Sequence, residues 1–123
     1  MEVHQLRYFC AIVSHGTFTR AARTQHVSQP SLSQQIMKLE DELGGKLFYR
    51  LPRTARLTAL GEMFLPRALA VLHEIRAGKA EAQKIVALQK SEPAGSSIPI
   101  KPLPGKDALS SNESRVHAFR KRA

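Results

Sequence analysis

Between residues 1 and 90 apolar side chains recur at helical spacing, and the gaps between the stripes separate one element from the next. Leu6, Phe9, Cys10 and Val13 share one stripe near the start. Phe18, Ala21 and Ala22 make the buried side of a short helix, and its paired alanines let another helix cross closely. In the next helix Leu32, Ile36, Leu39 and Leu43 fall on a single line and must pack inward. Its opposite side carries Pro30, Gln34, Met37, Lys38 and Asp41, with Gln29 and Ser33 flanking the start. Ser28 is a good N-cap, Pro30 lies where its missing N–H costs little, and Gly44 and Gly45 stop the helix. The turn Gln25-His26-Val27 has no glycine, so His26 is expected to take a positive φ.

Residues Thr19 to Gly44 thus read as two helices joined by a tight turn. Gln and Ser at a helix N-terminus can hydrogen-bond bases and phosphates, which points to a helix that enters a DNA major groove. The polar face by itself fits a small capped bundle without DNA equally well. Charge tips the balance. The 123 residues hold 19 Lys or Arg against 10 Asp or Glu, a net charge of +9, which favours a polyanionic partner. No apolar run approaches the ~20 residues of a spanning helix, so no membrane partner is expected. Charges and Gln inside the first apolar stretch argue against a secretory leader. A single cysteine gives neither a disulfide framework nor a thiolate metal site, and a reducing cytoplasm fits.

Three arginines, Arg50, Arg53 and Arg56, lie within seven residues. Leu47-Phe48-Tyr49 and Arg56-Leu57-Thr58 read as short strands flanking the turn Leu51-Pro52-Arg53-Thr54. A two-stranded hairpin with arginines at its tip is the wing of a winged helix, whose guanidinium groups can enter a minor groove or grip phosphate. A solvated basic hairpin is the plainer alternative for any one of them.

Gln5-Leu6-Arg7-Tyr8-Phe9, Gly16-Thr17-Phe18-Thr19-Arg20-Ala21-Ala22 and Val27-Ser28-Gln29-Pro30-Ser31-Leu32-Ser33 strongly resemble the DNA-binding domain of LysR-type transcriptional regulators. The resemblance continues through Leu39-Glu40, Leu47-Phe48, Arg50, Arg56-Leu57-Thr58 and Gly61, almost without gaps to about residue 66. It implies a mainly α fold, in which a winged helix-turn-helix over residues 1–58 is followed by a linker and dimerisation helix over 59–90. It further implies that Gln29, Pro30, Ser31, Ser33 and Gln34 on the recognition helix, with Arg53 on the wing, meet double-stranded DNA. Ser28 at the helix start, Lys38 on its polar face, and Arg50 and Arg56 in the basic hairpin complete the expected DNA-binding set. The family often has Arg where this chain has Gln34, so a charge-assisted contact is given up there.

Leu65, Leu69, Leu72, Ile75 and Val86 give the long helix a broken apolar stripe that it cannot bury alone. The resemblance supplies the partner, a second copy in a homodimer. Pairing with a full-length relative in an inactive heterodimer is the alternative, and it predicts tight partner binding with poor DNA binding. Residues 91–123 hold four of the seven prolines and six serines, and read as a disordered basic tail ending in Arg120-Lys121-Arg122. A typical member continues instead into an effector-binding domain. The expectation is therefore a truncated regulator with no small-molecule effector site, no cofactor and no metal. Nor is an enzyme expected: the five histidines show no metal-ligand spacing, and no phosphate loop or nucleophile motif occurs. The run Glu40-Asp41-Glu42 reads as a solvated face.

Overall fold

The computed structural model describes residues 1–91 and 99–103. Six elements follow in order: α1 (Val3–His15), α2 (Phe18–Thr24), α3 (Gln29–Leu43), β1 (Phe48–Arg50), β2 (Ala55–Leu57) and α4 (Ala59–Ser91). The first five, with the start of α4, make a winged helix-turn-helix, and the rest of α4 is a long helix as expected. Residues 99–103 form no helix or strand, and Ile100 and Leu103 are exposed. The basic tail end at Arg120-Lys121-Arg122 lies outside the described residues, as does most of the segment read as disordered.

Phe9, Ile12, Leu32, Ile36, Leu39 and Leu47 are completely enclosed and form the centre of the core. Around them α1 packs on α2, α3 and α4. Ala21 and Ala22 are buried on the α2 side, where small side chains allow the backbones to approach. Side-chain caps start α2 and α3 as the local chemistry requires. Thr17 Oγ1 accepts from the Arg20 amide at 3.1 Å, and Ser28 Oγ accepts from the Ser31 amide at 3.2 Å. His26 takes φ 57°, and its neighbour Val27 donates to the Ala22 carbonyl at 3.0 Å, closing the turn without glycine. Gly44 takes φ 84° and sends its amide to the Glu40 carbonyl at 2.8 Å, which ends α3.

The hairpin is antiparallel, with Phe48 opposite Leu57, Tyr49 opposite Arg56 and Arg50 opposite Ala55. Both strands lie one residue nearer the turn than the sequence pattern suggests. The reason is Thr58, which is taken up by the next helix: its hydroxyl donates to the Lys46 carbonyl at 2.6 Å and accepts from the Gly61 amide at 3.1 Å. The run Glu40-Asp41-Glu42 also needs correction. Glu40 is buried, and its Oε2 accepts from the Leu47 amide at 2.7 Å, so it ties the end of α3 to the entry of β1. Asp41 and Glu42 are exposed, with Glu42 paired to the N-terminal ammonium at 2.8 Å.

Gly61 sits where α4 passes Leu47, just before β1, and Leu57 of β2. A Cβ there would run into the Leu47 carbonyl and stand 2.7 Å from Leu57 Cδ2. The Leu47 carbonyl also accepts from the Thr58 amide, so it cannot swing aside without losing that bond. Gly61→Ala should therefore cost about 1–3 kcal/mol of stability by overpacking, although alanine is the better helix former. Urea unfolding checks this; an unchanged midpoint would show that α4 can lift from the hairpin freely.

Candidate nucleic-acid interface

The N-termini of α2 and α3 and the hairpin enclose a groove of about 360 Å³. Arg20 and Arg23 come from α2, Gln29 and Ser33 from α3, and Arg50 and Arg53 from the hairpin, with no carboxylate among the lining residues. Four arginines lining one open space with no carboxylate among them make its charge balance positive, which favours an anionic partner. The groove is thus built for a polyanion.

Each wall is held by the local structure. Thr19 Oγ1 donates to Gln29 Oε1 at 3.3 Å, which leaves the Gln29 amide N–H groups and a second oxygen lone pair for another partner. Ser28 uses its oxygen to cap α3 and its proton to reach Ser31 Oγ at 2.9 Å, so it is a structural residue first. On the hairpin, Leu51 donates its amide to the Thr54 carbonyl at 3.1 Å, which closes the turn that presents Arg53. The turn end of β2 is tied to the α1–α2 corner by the Ala55 amide donating to the Gly16 carbonyl at 2.9 Å.

Of the residues singled out from sequence, Gln29, Ser33, Arg50 and Arg53 come together in this groove. Pro30, Ser31, Gln34 and Lys38 are exposed along α3 beyond it. Arg56 does not join them. It stands opposite Tyr49, and alternation along a strand puts that pair on the other face of the hairpin from Phe48 and Arg50. Sequence reasoning passed over Thr17, Thr19, Arg20 and Arg23, which also line the groove. The signal was present in the i, i+3 spacing of Arg20 and Arg23, which places them together on the exposed side of a helix whose other side is alanine.

The five apolar positions of α4 divide. Leu72 is 5% exposed and Leu65 is half-buried, and both pack on the domain's own core, so Leu72 is not available to a partner as the sequence pattern suggested. Leu69, Ile75 and Val86 are exposed. Cys10 is half-buried beside this helix. Burial pushes its thiol above the ordinary range, against a smaller opposing pull from Arg76, which makes it a poor nucleophile near neutral pH.

A model of the family described as "Bacterial regulatory helix-turn-helix protein, lysR family" matches residues 3–62. A solved structure of the CbnR DNA-binding domain in complex with DNA is 39% identical in sequence. Its TM-score is 0.62, and the match covers 72% of this chain and 99% of that one. The chain belongs to the LysR family. A second solved complex, the BenM DNA-binding domain with catB site 1 DNA, gives a TM-score of 0.67 at 37% identity, over 70% of this chain and 97% of that one. The Hca operon transcriptional activator HcaR of Escherichia coli K12 is 50% identical over 86 residues, 70% of this chain and 29% of its own length. The chain spans between 25% and 50% of the length of such relatives. This LysR-family domain has the fold of a DNA-binding transcriptional regulator, and the relatives it matches are regulators, not enzymes. No helix among its described residues is long and apolar enough to cross a membrane.

Proposed function

We propose that the chain is a sequence-specific transcriptional regulator that binds operator DNA as a homodimer. In this reading α3 enters the major groove and the hairpin lies along the neighbouring minor groove. The observation that carries it is the arginine-lined groove itself, which opens beside the exposed polar start of α3. One surface thus offers both phosphate grip and base-reading groups. The likeness to two DNA complexes supports the same orientation.

The homodimer rests on α4. Met63, Leu69, Val71, Ile75, Ile85 and Val86 keep between 37% and 59% of their surface exposed, and a single projecting helix has no means of covering them. Burying one such side chain contributes about 1.5–3 kcal/mol, so several are needed to offset the freedom lost on association. The same side chains would also pair with the corresponding helix of a longer relative. Strong heterodimer formation with loss of DNA affinity would favour that second reading.

Selecting duplexes from a randomised pool tests the proposal. An enriched sequence should contain two half-sites, and Gln29→Ala should cost about 1–3 kcal/mol at that sequence but little on random DNA. Arg53→Ala should weaken both more evenly. Equal losses on both DNAs for Gln29→Ala would show that α3 does not read bases. Failure of any sequence to enrich would end the specific-regulator reading.

A further inference from the structure

Arg50 differs from the other arginines of the groove in how it is held. Its Cζ lies 5.0 Å from the centroid of the Phe18 ring, within cation–π range. The ring in turn stands edge-on to Phe48 at 5.5 Å and 73°, and Phe48 packs at 5.4 Å on Phe9, which is fully buried. Arg50 is therefore the outer end of an aromatic series that starts in the middle of the core. The backbone holds the same two residues in register a second time. Arg50 is paired with Ala55, whose amide is bonded to the carbonyl of Gly16, two residues before Phe18.

We propose that Phe18 is a positioning residue for DNA binding: its ring fixes the Arg50 guanidinium in the groove wall so that its N–H edge grips a backbone phosphate. Stacking uses the flat face of a guanidinium and leaves its N–H edge free to form the paired bonds that match phosphate oxygens. A long side chain that is already ordered loses less freedom on binding, and the gain appears as affinity. The groove offers no competing carboxylate, so a phosphate is the natural acceptor. A phosphate contact carries no base information. The effect must then be the same on every duplex.

This inference rests on the DNA-binding reading, and a double-mutant cycle on a labelled random-sequence duplex separates the two. Arg50→Ala should lower affinity and reduce the log–log salt slope of the dimer by about 1.8, one phosphate per protomer. Phe18→Leu keeps an apolar side chain in the core and should lower affinity about two- to fivefold, the size of a cation–π contact at an exposed site. Added to Arg50→Ala, Phe18→Leu should cost nothing further. An equal loss on that background would make Phe18 only a core residue and overturn the proposal, as would no loss from Phe18→Leu alone. Failure of the unsubstituted protein to bind the duplex would instead refute the DNA-binding reading. A wild-type spectrum gives a readout independent of how Phe18→Leu folds. The Arg50 Hδ protons should be shifted upfield by the ring, and Hδ resonances at random-coil positions would overturn the arrangement.

Discussion

Duplex binding by this chain should weaken by about 10³–10⁵ when salt is raised from about 50 to 200 mM, the range for six to ten phosphate contacts. Four arginines line the groove of each protomer, so a dimer presents eight, and each phosphate neutralised contributes about −0.9 to the log–log slope. The four arginines come from two different segments, α2 and the hairpin, but line one space, so a single DNA backbone can engage several at once. Fluorescence anisotropy of a labelled duplex over a salt series measures the slope. Replacing Arg20, Arg23 or Arg53 singly by alanine removes one cation from each protomer and should make it shallower by nearly two units each. No binding at low ionic strength, or a slope that ignores all three substitutions, would mean that the groove is not the DNA site.

The second large effect separates two leucines three residues apart on α4. Leu72→Asp should abolish cooperative folding. The position is 5% exposed within the core, and removing such a side chain costs on the order of 2–5 kcal/mol before the cost of an unpaired buried carboxylate is added. A small domain commonly has about 5–15 kcal/mol in total. By contrast, Leu69→Asp with Ile75→Asp should leave the domain folded, because both side chains already contact water. That pair should instead give monomers, and operator affinity should fall because the two half-sites are no longer linked. Circular dichroism and sedimentation over a micromolar concentration range distinguish the two outcomes. A wild type that stays monomeric throughout, or a double variant that still dimerises, would remove these α4 positions from the dimer account.

Much of the interface was legible because its signals are local. Gln29 and Ser33 follow from a capped helix start, and Arg53 follows from a four-residue turn between two short apolar stretches. Arg20 and Arg23 were harder to see, since nothing in the sequence of α2 tells which element its exposed side faces. That depends on the hairpin, which arrives some thirty residues later and is drawn to the α1–α2 corner by the Gly16 to Ala55 bond. Arg50 and Arg56 look alike in sequence, yet strand register sends them to opposite faces.

What the sequence by itself determined is every feature governed by neighbours within one or two turns. The helix stripes, the Ser28 cap, the left-handed His26 and Gly44, and the long run of α4 all rest on backbone sterics and periodicity, which act over a few residues. Only the tertiary structure decided which apolar residues of α4 are spent at home. Leu65, Leu69 and Leu72 share one periodicity, but α1 and the core cover the first partly and the last almost fully, while the middle one keeps 47% of its surface exposed. It also decided that Glu40 leaves the solvated acidic run to bond the Leu47 amide. Periodicity specifies the direction in which a side chain points. Burial depends on what folds across it, and that neighbour can lie anywhere along the chain.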